Sequence, residues 1–214
     1  VIDAFVLIGG ESRRMGRDKA RAAVASPWGT LPLAVRVVEV LRAAGARSVA
    51  LIRRVDDGQP WVDHEGAPID VYEDGAPSPH PLWGVAAALT RTQTDRCLVA
   101  SGDSVGLSVA AARRMLEAGP CVAMDAAGGR HPTLAVWPAA YLGAVRGAAE
   151  RGASARSVAT MPGLLLPPDD LRDADEPSDL PDDPVVTAVA GLPVPVSDRA
   201  LAGERWRLRA RGVR

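Results

Sequence analysis

The sequence predicts a layered α/β fold with a mostly parallel sheet and one antiparallel element. Three observations lead there. Apolar runs of strand length alternate with segments of helical period, the arrangement that builds parallel sheets through crossover helices. The first run, residues 1–8, reads as continuously apolar and ends in Gly9-Gly10, as a strand buried on both faces does. Residues 121–124 and 131–137 flank a turn at residues 126–129, which is the pattern of a hairpin.

The elements follow in order. Residues 31–44 place Leu31, Ala34, Val35, Val38 and Leu41 at helical spacing, with Arg36, Glu39 and Arg42 outside, and Gly45 stops the helix. Further strands are expected at residues 48–52, 69–72 and 96–100, and helices at 82–89, 109–117 and 141–151. The composition shifts after Met161. Residues 167–184 are rich in Asp, Glu and Pro and read as an acidic surface loop. Residues 185–196 turn apolar again, with Pro193 and Pro195 forbidding a helix. Residues 205–211 alternate basic with apolar side chains, as either an edge strand or a basic tail does.

Composition bounds the function. A chain of 214 residues suits one α/β domain. Aromatics make up 4%, so the core must be built from Ala, Val and Leu, and 21 glycines with 18 prolines predict many tight turns. With 25 basic and 26 acidic side chains, the net charge of −1 removes the electrostatic case for nucleic-acid binding. No apolar run is long enough to span a membrane, and the first residues lack a signal-peptide pattern. Cys97 and Cys121 lie in apolar runs without CxxC spacing. Buried free thiols, a reducing cytoplasmic setting and no structural zinc are expected.

The chemistry concentrates in Leu7-Ile8-Gly9-Gly10-Glu11-Ser12-Arg13-Arg14-Met15-Gly16-Arg17-Asp18-Lys19. This loop follows a buried strand, where open α/β sheets place their ligand crevice. Adjacent glycines let the backbone approach an anion with free N–H donors, and Arg13, Arg14, Arg17 and Lys19 add positive charge. Together they describe a triphosphate cradle. The loop is neither a Walker A motif nor a GxGxxG fingerprint.

The loop resembles the L-x-G-G-x-S-x-R-M-G-x-D-K signature of the molybdenum cofactor guanylyltransferase (MobA-type) family of nucleotidyltransferases. The resemblance continues through Val71-Tyr72-Glu73-Asp74, Pro81-Leu82-Trp83-Gly84, the strand ending Ser101-Gly102-Asp103, His131-Pro132-Thr133-Leu134-Ala135, and Asp173-Ala174-Asp175-Glu176-Pro177-Ser178-Asp179-Leu180. It implies a three-layer Rossmann-like nucleotidyltransferase fold over residues 1–180, followed by an extension at residues 181–214. It further implies Arg14, Lys19 and Asp103 as catalytic, with Asp103 holding Mg²⁺. Leu7, Ile8, Gly9, Gly10, Ser12, Arg14, Lys19, Asp74 and Asp103 would bind the nucleotide. Four departures stand out. Ile8 replaces an alanine, His80 replaces the glycine before Pro81, Ser104-Val105 stands where a proline is usual two residues after the aspartate, and Arg53-Arg54 stands where relatives often carry asparagine. Leu7 and Gly9-Gly10 fit the guanine-using members, while cytidine-using relatives carry a Thr-Ala-Ala-Gly-like version.

The implied partners are GTP or another nucleoside triphosphate and molybdopterin or another phosphorylated acceptor, in a monomer or weak homo-oligomer with neither nucleic acid nor membrane. Two alternatives remain open at this level: a CTP-using or sugar-phosphate enzyme of the same superfamily, and a non-catalytic nucleotide-binding relative. Asp173 and Asp175 read as acidic loop rather than as further metal carboxylates. His131 reads as structural rather than as an acceptor contact. Trp83 and Trp137 read as core rather than as pterin stacking partners.

Overall fold

Residues Asp3–Ile8 form an interior strand, β1, and alternate side chains face opposite helical layers. Ala4, Val6 and Ile8 enter one apolar cluster and Phe5 the other. The computed structural model describes residues 1–9, 19–54, 59–174 and 179–180. Predicted features at 10–18, 175–178 and 181–214 lie outside the described residues, including the apolar 185–196 stretch and the basic 205–211 stretch.

After β1 the chain forms a small hairpin, β2 (Ala23–Ser26) and β3 (Gly29–Pro32), and then helix α1 (Leu33–Ala44). Next come β4 (Val49–Arg53), β5 (Val71–Glu73), α2 (Pro81–Arg91), β6 (Arg96–Ser101) and α3 (Val109–Ala118). The last elements are β7 (Cys121–Met124), β8 (Arg130–Pro138), α4 (Leu142–Glu150), α5 (Ala155–Val158) and β9 (Gly163–Leu165). The main sheet has seven strands in the order β5-β4-β1-β6-β8-β7-β9. β8 runs antiparallel to both its neighbours, β6 and β7, and the other pairs are parallel. Helices α1 and α3 cover one face, and α2, α4 and α5 the other. The result is the mostly parallel three-layer architecture that the sequence predicts. The core is mainly Ala, Val and Leu, with Trp137 its largest fully buried side chain.

Local chemistry explains the boundaries. Gly45 adopts φ 101°, its N–H meets the Arg42 carbonyl at 3.0 Å, and Ala46 N–H meets that of Leu41 at 3.1 Å. That left-handed turn is the glycine stop expected from the sequence. Asp125 accepts N–H bonds from Ala127 and Gly129 at 2.9 and 2.8 Å, which closes the β7–β8 hairpin. Cys97 and Cys121 are free and buried, as expected.

Several expectations need correcting. The predicted helix at 31–44 begins two residues later, at Leu33. Leu31 precedes Pro32, whose ring disfavours helical geometry in the residue before it, and Leu31 joins β3 instead. Glu39 is not on the outer side but 3% exposed, taken up by Arg42 at 3.3 Å and His64 Nδ1 at 3.1 Å. The first run is not continuously apolar, because Asp3 is buried within it. The β2–β3 hairpin, α5 and β9 are additions; strands of three or four residues offer too few positions for a period to show.

Candidate active site

The parallel strands place four chain segments side by side at the carboxyl edge of the sheet. In spatial order β5, β4, β1 and β6 are followed by Asp74, Arg54, Gly9 and Gly102-Asp103. Three strand spacings separate the outer pair, roughly 15 Å, which leaves room for an elongated ligand. A cavity of about 320 Å³ opens along this edge. It is lined by Leu7, Ile8, Gly9, Lys19, Asp74 and Asp103, all the predicted site residues that are described. Gly10, Ser12 and Arg14 lie outside the described residues.

At one end Lys19 Nζ stands 3.9 Å from Asp103 Oδ2, with the two side chains 16% and 29% exposed. Lys19 opens a short 3-10 turn, Lys19–Arg21, that leads into β2. Asp103 follows β6 directly and is held at several points. The Ser101 hydroxyl donates to Asp103 Oδ1, and the Asp103 carbonyl accepts N–H bonds from Val105 at 2.7 Å and Ala174 at 2.9 Å. Gly102 allows the close approach of β1 and β6 beneath the site. Its N–H donates to the Leu7 carbonyl at 2.8 Å, and a Cβ there would lie 2.7 Å from Ile8 Cγ2. Ile8 therefore packs over Gly102, in the same apolar cluster as Ala34, inside the core as well as at the cavity.

At the other end Asp74 N–H donates to the Arg53 carbonyl at 2.8 Å, and its carboxylate accepts the Ala76 N–H at 2.8 Å in a local turn. The departures from the expected pattern also fall into place here. Arg54 lines the cavity beside Gly9, whose Cβ position would stand 3.3 Å from the Arg54 amide nitrogen. His80 lines it too and caps α2, its Nδ1 accepting the Leu82 N–H at 3.2 Å, with Pro81 in the first turn.

Other candidates sit elsewhere. His131 Nε2 lies 3.7 Å from Asp125 Oδ2 at the hairpin, and Thr133 of the same strand lines the cavity instead. Trp137 is fully buried, donates to the Pro132 carbonyl at 3.2 Å and meets Tyr141 edge-on, so it is core. Trp83 packs against the same cluster. Asp173 accepts a bond from the Ser104 hydroxyl at 3.0 Å, and Asp175 lies outside the described residues. Sequence reasoning missed Arg54, His80, Ser101, Gly102 and Thr133 as cavity residues. Arg54, Ser101 and Gly102 stand at strand ends, and His80, Ser101, Gly102 and Thr133 lie in or beside the segments that carry the family resemblance.

The donor set fits a hard cation shared with a ligand. Among the described residues no group of three or more His, Cys, Asp and Glu converges on a point. An ion here would be held by the Asp103 carboxylate and completed by phosphate oxygens and water, which is the habit of Mg²⁺. Among the described residues no helix is long and apolar enough to cross a membrane.

Known proteins are similar to this chain in sequence and fold. The family model for the MobA-like NTP transferase domain matches residues 4–162. A probable molybdenum cofactor guanylyltransferase from Opitutus terrae is 43% identical over 84 residues, 39% of this chain and 37% of that protein. The alignment thus spans little more than a third of that curated relative. Among solved structures, molybdopterin-guanine dinucleotide biosynthesis protein A from Archaeoglobus fulgidus superposes with a TM-score of 0.60 at 17% identity, covering 83% of this chain and 94% of that one. The 2-C-methyl-D-erythritol 4-phosphate cytidylyltransferase from Thermus thermophilus gives 0.58 at 16% identity, covering 84% and 95%. At these identities the superpositions establish a shared fold. The family model spans most of the chain, from β1 to the residue before β9, and on that ground the chain belongs to the MobA-like NTP transferase domain family.

Proposed function

We propose that the protein is a Mg²⁺-dependent guanylyltransferase that joins GMP from GTP to the phosphate of molybdopterin. The observation that carries this is the opposed pair Lys19 and Asp103, 3.9 Å apart in one cavity at the carboxyl edge of a parallel sheet. A carboxylate for a cation and a lysine for phosphate, side by side, suit a metal-bound triphosphate better than either suits a neutral ligand. The expected role of Arg14, with Gly10 and Ser12, belongs to the same proposal.

In this reading an oxygen of the acceptor phosphate attacks the α-phosphorus of GTP. A new P–O bond forms, the bond from the α-phosphorus to the bridging oxygen breaks, and pyrophosphate leaves with the electron pair. Positioning and charge neutralisation supply most of the rate in such transfers. Lys19 and Arg14 would stabilise charge growing on the leaving pyrophosphate, with Gly9, Gly10 and Ser12 donating hydrogen bonds to it. Mg²⁺, when bound, neutralises the triphosphate and aligns its oxygens. Asp74 would contact the nucleoside end of the ligand, three strands away from Asp103. A reducing cytoplasmic setting suits the two buried free thiols.

Binding of GTP, CTP, ATP and UTP with and without Mg²⁺, in the protein and in Asp103→Asn, tests this reading. Selective Mg²⁺-dependent GTP binding that weakens in the variant supports it, and pyrophosphate release on adding molybdopterin completes it. Preference for CTP would move the activity to a sister reaction on the same fold. Unchanged binding in Asp103→Asn would remove the metal role and the catalytic reading with it.

A further inference from the structure

We propose that residues 169–174 form a strap that fixes Asp103 in position for the metal-bound triphosphate, with Ser104 as its positioning residue; this rests on the reading of Asp103 given above. Residues 167–173 of the expected acidic loop are exposed or half-buried, Ala174 is fully buried, and the loop is laced to the segment that carries Asp103. Ala174 N–H donates to the Asp103 carbonyl at 2.9 Å, and the Ser104 hydroxyl to Asp173 Oδ1 at 3.0 Å. Gly106 N–H donates to the Arg172 carbonyl at 3.0 Å, and Ser108 N–H to Asp170 Oδ1 at 3.0 Å. Four bonds thus join Ala174, Asp173, Arg172 and Asp170 to Asp103, Ser104, Gly106 and Ser108, and the first of them grips the peptide of Asp103 itself.

The other side of the same segment is gripped by α1. Arg36 donates to the carbonyls of Ser104 at 3.3 Å and Leu107 at 3.0 Å. Burial lowers the pKa of Arg36 from its ordinary value, and the Asp170 charge opposes that shift. A satellite cluster of Ala22, Val24, Leu33, Val105, Ala174 and Leu180 lies beneath. It unites the Asp103 segment, the strap and β2, whose leading turn carries Lys19. Both members of the Lys19–Asp103 pair are therefore referenced to one small core.

This explains the departure at Ser104-Val105. A proline two residues after the aspartate would have no N–H to offer, whereas Val105 donates to the Asp103 carbonyl at 2.7 Å. Ser104, 4% exposed, spends its hydroxyl on the strap. Here hydrogen bonds from this chain's own residues hold the turn after Asp103.

The test is a Mn²⁺ titration, read by electron paramagnetic resonance, of the full chain saturated with GTP, with Mn²⁺ standing in for Mg²⁺. Ser104→Ala should weaken Mn²⁺ about tenfold, as loss of a bond from the buried Ser104 side chain implies. Ser104→Thr should restore it to about twofold of the parent. Metal-free GTP affinity should stay within about twofold in both. Gly106→Ala should also weaken Mn²⁺, because its Cβ would run into the Asp169 carbonyl oxygen and lift the strap. If Ser104→Ala and Gly106→Ala lower the melting temperature yet leave Mn²⁺ affinity at the parent value, the strap is structural only and the inference is overturned. If Asp103→Asn itself binds Mn²⁺ like the parent, the metal reading of Asp103 fails, and this inference falls with it.

Discussion

Asp3, buried in β1, makes part of the chain's stability depend on pH. Burial pushes its pKa up, but bonds from Arg47, Ser48, the Gln93 N–H and Thr92 more than compensate and bring it to about 2, from an ordinary 3.8. A folded-state pKa below the unfolded one stabilises the fold above the unfolded value, and that contribution is lost as pH falls from about 4 to about 2. The shift corresponds to about 2 kcal/mol at neutral pH. Asp3→Asn should therefore be less stable than the parent by roughly that amount at pH 7, and the gap should close as pH falls toward about 2. Urea denaturation at several pH values checks this, and a constant gap would show that charge is not its source. The two thiols make a second prediction at this scale. Burial pushes Cys97 up to about 12, with the Asp3 charge adding to it, and burial also raises Cys121. Alkylation at pH 8 should be slower by about a hundredfold or more in the folded protein than in denaturant, by mass spectrometry.

The elements around the site depend on single side chains at their ends. Helix α2 begins with His80 as its cap. His80→Ala should cost about 1 kcal/mol, and His80→Ser should recover most of it, because serine also caps well. Thermal unfolding of the two variants measures the difference. Strands β1 and β6 meet at Gly102, where an added Cβ would also lie 3.0 Å from the Leu7 carbonyl oxygen. Gly102→Ala should cost about 1–3 kcal/mol and widen the sheet just below Asp103. A loss of nucleotide affinity larger than the loss of stability alone explains would locate that strain in the cavity.

For the molecule as a whole, ligand and fold are linked. If the cavity takes GTP, a hundredfold excess over Kd with Mg²⁺ present should stabilise the folded chain by about 2.7 kcal/mol, and the same GTP concentration should stabilise it less without Mg²⁺ or in Asp103→Asn. Differential scanning fluorimetry reads that as a rise in Tm. The alternating strands and helices, the antiparallel β8 and the Gly45 stop were legible in the sequence, because each is written in local period or local chemistry. Leu7, Ile8, Gly9, Lys19, Asp74 and Asp103, the described residues that the family resemblance picks out, line one cavity, and Gly9 and Lys19 flank a loop whose composition already suggests phosphate. What the chain order cannot express is which strand ends become neighbours. The order β5-β4-β1-β6 brings Arg54 and His80 to the cavity, and long-range packing laces residues 169–174 to Asp103. Glu39 is buried against His64, 25 residues away in the chain, for the same reason. Periodicity and turn chemistry act over a few residues and are fixed by the sequence itself. Hydrogen bonds between distant segments exist only once the sheet has set their distance, so the precise surroundings of Asp103 were decided by the tertiary structure.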